Sequence, residues 1–93
     1  MNTEQGDGFM AVADARIFLK QAVADRHLRD QLNEAPSAAT ITRLLKARNL
    51  CFTRTELEEA YRGLLAHSQT AEEATLVREI KTWWDFLSTA VDR

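Results

Sequence analysis

The sequence predicts an all-α protein, a small bundle of four to five helices with a longer C-terminal helix. Three observations predict it. The 93 residues include one proline and three glycines, too few breakers for the many tight turns of a β-sandwich or barrel. Apolar residues recur at three- and four-residue intervals along most of the chain, with no sustained two-residue alternation. Two Thr-x-x-Glu tetrads and one serine stand where helix N-termini need capping. A chain of this length supports one domain with a modest core. Its 45% hydrophobic and 28% charged residues are those of a folding chain rather than a disordered one.

The elements follow in order. Residues 1–8 carry two acids, two glycines and no apolar side chain beyond Met1, and are expected to form a disordered lead-in. From Phe9 to Asp25 a helical period runs through Met10, Val12, Ala13, Ile17, Phe18, Leu19, Ala22 and Val23. Asp25 is placed to cap a short second helix, with Leu28, Leu32 and Ala35 at i, i+4 and i+7, and Pro36 ends it. Ser37 is placed to cap a third helix that turns Ile41, Leu44 and Leu45 inward. Asn49 then stands in the left-handed closing position, where asparagine substitutes for glycine.

Leu50-Cys51-Phe52 reads as extended, and Thr53-Arg54-Thr55-Glu56 as a capping box with Phe52 stapling onto Leu57. A fourth helix is expected over 54–67. Gly63 within it costs about 1 kcal/mol relative to alanine, and close approach of another helix is the expected compensation. A second capping box, Thr70-Ala71-Glu72-Glu73, opens the longest helix, 71–90. There Val77, Ile80, Trp84, Leu87 and Val91 form one seam, which Leu76, Trp83 and Ala90 widen. Arg78, Lys81, Thr82, Asp85, Ser88 and Thr89 mark the opposite, wet face, and Phe86 lies outside the apolar stripe. The chain thus divides into the lead-in 1–8, a helical domain 9–69, and an amphipathic helix 70–93 packing on that domain or on a partner.

Several classes of chemistry have no footing here. Twelve Lys and Arg against fourteen Asp and Glu give a net charge of -2, so no nucleic-acid partner is expected. Cys51 is the only cysteine, which excludes an intrachain disulfide and makes a reducing, cytoplasmic setting the expectation. The acidic, polar N-terminus is no signal peptide, and no apolar run approaches the roughly 20 residues that cross a bilayer. One cysteine and two distant histidines assemble no familiar metal site. No glycine-rich loop is present to hold a cofactor. Glu58-Glu59 and Glu72-Glu73 are neighbours that point about 100° apart on a helix, in early turns where the dipole favours acids. Cys51 reads as a small buried hydrophobe, and His67 as an imidazole at a helix C-terminus. No catalytic, cofactor-binding or metal-ligating residue is therefore expected, and the chain is read as a non-enzyme.

Two features point to a protein partner. Trp83, Trp84, Phe86 and Leu87 crowd the last helix, and adjacent tryptophans cannot both point into one small core. They serve equally as a docking or homodimer surface or as an enlargement of a thin core. Between Glu34 and Glu56 there is no acid, while Arg43, Lys46, Arg48 and Arg54 give the segment a charge of +4. Such a patch orients an acidic partner, and a solvated helix face accounts for it as well.

Phe18-Leu19, Ala22, Asp25, Leu28-Arg29 and Leu32, followed by Ile41, Leu44, Lys46, Asn49-Leu50-Cys51-Phe52-Thr53 and Glu56-Leu57, resemble the Nif-eleven domain. This is a family of small helical proteins encoded in bacterial nitrogen-fixation clusters. The resemblance covers about residues 16–60. It implies one of two settings: a stand-alone protein of nitrogen-fixing bacteria, or a leader region of a ribosomally made peptide precursor held by a modifying enzyme. No Gly-Gly, Gly-Ala or Ala-Gly pair follows the domain and no later cysteine offers itself for modification, which favours the first. Asn49 stands where the family's turn has glycine. The resemblance implies nitrogenase or its assembly machinery as the partner, docked by helix contact through the aromatic residues and oriented by the basic ones.

Overall fold

The computed structural model describes residues 3–91, with side chains over residues 11–90. Five helices follow one another: α1 Thr3–Ala24, α2 Arg26–Asn33, α3 Ala38–Ala47, α4 Arg54–Ala66 and α5 Ala71–Val91. Among the described residues there is no strand, and the all-α expectation is met.

Capping residues set most of the boundaries. Asp25, in extended backbone, accepts the Leu28 N–H at 3.1 Å and opens α2. Ser37 accepts the Thr40 N–H at 3.2 Å and opens α3. At Thr53 both halves of the capping box are made: the hydroxyl accepts from Glu56 N–H, and Glu56 Oε1 accepts from Thr53 N–H at 2.7 Å. The box before α5 is offset by one residue, because Glu73 accepts the Gln69 N–H at 2.8 Å while Thr70 accepts the Glu73 N–H at 3.0 Å. Asn49 is the non-glycine residue at positive φ, 62°. Its left-handed turn lets the Leu50 N–H reach back to Leu45 O at 2.9 Å and drops Leu50 into the core.

α1 starts earlier than the apolar period indicates. Residues 3–8 are helical, where a disordered lead-in is expected, and residues 1 and 2 lie outside the described ones. Extending an existing helix adds one hydrogen bond per residue, so glycines at 6 and 8 weaken that turn without ending it.

α1 is the central post, packed against α2, α4 and α5, and α4 packs on α5. Its inner stripe is Ala15, Phe18, Leu19 and Ala22, all almost wholly buried, at the i, i+3, i+4, i+7 spacing of one helix face. Small residues at Ala15, Ala22 and Ala60 fill the core beside larger Leu28, Leu32, Leu57 and Ile41, the alternation of sizes that dense packing needs. α5 joins this same core through Ile80 and Leu87, with Trp84 packed against it.

Gly63 has no crowding neighbour among the described atoms. A Cβ there would meet only the Arg16 guanidinium at 3.6 Å, an ordinary contact. Among the described residues no backbone of another helix comes within 4 Å of that position, so the close approach expected to compensate for this glycine is not found there.

Candidate protein-interaction surfaces

The four aromatic and aliphatic residues predicted on one docking face are divided by α5 among three environments. Trp84 belongs to the core: its ring lies edge-on to Phe18 at 4.8 Å between centroids and to Phe52 at 6.0 Å. Phe18 and Phe52 complete the triangle at 5.3 Å, inside the range where aromatic pairs add to area burial. Leu87 is buried with them. Trp83 is half-buried on the rim, and its indole N–H donates to Asn33 Oδ1 on α2 at 2.9 Å. Phe86 points away from both and is 79% exposed. The single face thus reduces to Trp83 and Phe86.

The basic set is divided as well. Arg48 is engaged within the fold, 3.6 Å from Asp25 and bonded to Gln21 Oε1 at 3.3 Å, so it fastens the end of α3 to the end of α1. Arg43, Lys46 and Arg54 are exposed and have no acidic partner among the described residues. Arg43 and Lys46 stand on the solvent side of α3, whose other side carries the buried Ile41 and Leu45.

Sequence reasoning missed Lys81. Assigned to the wet face, it is instead 7% exposed. Its ammonium donates to Glu58 on α4 at 2.7 Å and to Asp85 one turn on at 2.6 Å, and stands 5.2 Å from the centre of the Tyr61 ring. Burial by itself lowers the Lys81 pKa, but the hydrogen bonds and charges of Asp85 and Glu58 outweigh it and hold it above the ordinary 10.5. The available signal was positional: Lys81 is four residues from Val77 and three from Trp84, at the border of the apolar seam, with an acid at i+4.

Cys51 is exposed rather than buried, because the extended turn directs Leu50 and Phe52 inward and the residue between them outward. Its N–H donates to Asp14 Oδ2 at 3.2 Å and ties the turn to α1. His67 caps α4, and its ring Nδ1 lies 2.8 Å from Gly63 O.

Two open clefts flank the N-terminal half of α5 and share Val23, Leu76 and Ile80 on their floors. One, of about 510 Å³, runs toward Leu64 and His67 on α4. The other, of about 380 Å³, lies against Arg26, Arg29 and Asn33 of α2. Among the described residues no three His, Cys, Asp or Glu side chains converge as metal ligands, and no helix is long and apolar enough to cross a membrane.

These features define a small helical bundle with open surface clefts, a cationic helix face and an aromatic rim. A family model, the Nif11 domain, matches residues 10–57, just over half of the 93-residue chain, and the protein belongs to that family. It is not a family of known enzymes. No curated protein and no solved structure matches the chain.

Proposed function

We propose that the protein is a non-enzymatic binding module of nitrogen fixation, which docks onto nitrogenase or its assembly machinery in the cytoplasm. Family membership is the observation that carries this reading. The surface that supports it is the outer side of α3 with the start of α4. There Arg43, Lys46 and Arg54 are exposed with no ion-pair partner among the described residues, in a segment that holds no acid between Glu34 and Glu56. A field of one sign steers an oppositely charged partner and fixes its orientation more than it adds affinity. Trp83 and Phe86 are the aromatic groups left to supply apolar contact.

The test is affinity capture with the intact chain from cells fixing nitrogen and from cells given ammonium, beside an Arg43→Glu/Lys46→Glu variant. Both side chains are exposed, so the variant keeps the fold, as circular dichroism checks. Nitrogenase or assembly components held by the intact chain and lost with the double variant support the reading. A peptide-modifying enzyme captured instead moves the protein to the family's leader-like role, and recovery of the chain alone overturns the docking claim.

A further inference from the structure

One flank of α5, beside the cleft against α2, is left uncovered. Leu76, Trp83, Phe86 and Ala90 fall within an arc of about 80° at the helical period. Leu76 is 44% exposed, Phe86 79%, and Ala90 is exposed too. The charges within this arc are acidic, Glu72 and Glu79, both exposed and neither paired among the described residues. Across the cleft the α2 wall carries Arg26, Arg29 and Asp30. Arg29 is turned inward, its guanidinium donating to the carbonyls of Ala22 and Val23 at the end of α1. Arg26 is the available cation: its side chain is 85% exposed, and its contact with Asp30 is stretched to 4.0 Å.

The cleft therefore has an apolar, acidic wall on α5 and, on α2, a wall where the exposed Arg26 stands beside Asp30. A two-fold interface sets one patch against its own copy, so a patch of a single charge repels itself. A patch holding both signs on opposite walls attracts its copy once rotated. The outer side of α3 is of the first kind, with Arg43 and Lys46 alone. The α2–α5 cleft is of the second. We infer that this cleft is the seat of self-association. A second copy of the chain lays its α5 flank across it about a two-fold axis, with Phe86 of each copy entering the other's cleft over Leu76, and Glu79 of each copy meeting Arg26 of the other. The inference stands apart from the α3 docking reading and leaves that face open to a different partner.

Sedimentation equilibrium of the full chain over a wide concentration range tests it. The expected result is a reversible dimer that Phe86→Ser weakens by about tenfold or more, the loss typical of a central aromatic contact. Glu79→Arg and Arg26→Glu are each expected to weaken it, and the two together in one chain to restore it, since both walls then change sign. All three side chains are exposed, so circular dichroism should show the fold unchanged in every variant. An intact chain that stays monomeric throughout the range overturns the inference. So does a dimer indifferent to these changes, or a monomer that spends Phe86 on a different protein. None of these outcomes touches capture through Arg43 and Lys46, so the two readings fail separately.

Discussion

Trp83 and Trp84 are adjacent in sequence and opposite in role. Trp84 sits edge-on to Phe18 and Phe52 and shares the core with Leu87. Trp83, about 100° round the helix, lies on the rim with one hydrogen bond to Asn33. The same division runs along the whole of α5, whose inner side is Ile80, Trp84 and Leu87 and whose outer flank carries Leu76, Trp83 and Phe86. The apolar arc is wider than the fold can cover, so part of it stabilises the chain and part is left at the surface. Counting aromatic residues in the sequence does not separate the two sets.

The difference can be broken most directly at Trp84. Trp84→Ala opens a hole between Phe18 and Phe52, and a loss of about 3 kcal/mol is expected, toward the lower end for a core tryptophan because the ring is only half-buried. Thermal unfolding followed by circular dichroism measures it, and a loss below that of the Trp83 variant would reverse the assignment of the two rings.

Lys81→Met gives the next largest effect. It removes the cation that joins Glu58 to Asp85, but both carboxylates keep a third or more of their side chains in water. The cost is therefore about 1–2 kcal/mol, less than for a fully buried pair. Because folding raises the Lys81 pKa above 10.5, this contribution is whole below the ordinary lysine value and is lost as pH rises through the raised one. Unfolding measured across neutral to strongly alkaline pH should show the intact protein falling toward the Met variant only at the alkaline end. A gap that closes in neutral solution would mean that the ammonium is not what joins α4 to α5.

The smallest effect belongs to Trp83→Phe. It removes the indole N–H while Asn33 remains free to bond water, so about 0.5–1 kcal/mol is expected. Asn33→Ala should cost about as much, and the two changes together no more than either alone. Additive losses would show that the bond contributes nothing in solution.

The helices were legible in the sequence because their ends carry local chemistry. Asp25, Ser37 and Thr53 each cap the helix that begins after them, and Asn49 takes the positive φ its position predicts. The start of α1 was not legible, since residues 3–8 have two glycines and no apolar period to reveal a helix. Within the candidate surfaces, the basic residues could be seen as a group, but not that Arg48 turns back to Asp25. That contact joins the end of α3 to the start of α2, and no spacing rule brings those positions together. Lys81 and Cys51 failed for the same reason in opposite directions. Polarity predicts water for the one and burial for the other, while a salt bridge to α4 and the alternation of an extended turn decide otherwise. Phe86 alone among the aromatic residues of α5 was separable beforehand, because its angle on the helix already set it apart.

The family match ends at Leu57, inside α4, yet two of the three rings in the aromatic triangle, Phe18 and Phe52, lie before that point and the third, Trp84, lies well after it. The matched segment is thus smaller than the unit that folds. A chain shortened to the matched segment would take from Phe18 and Phe52 the ring that packs edge-on against both. Any segment put in place of the one after Leu57 has then to meet one rule if the pair is to keep its cover: it must bring an apolar side chain back to the same place.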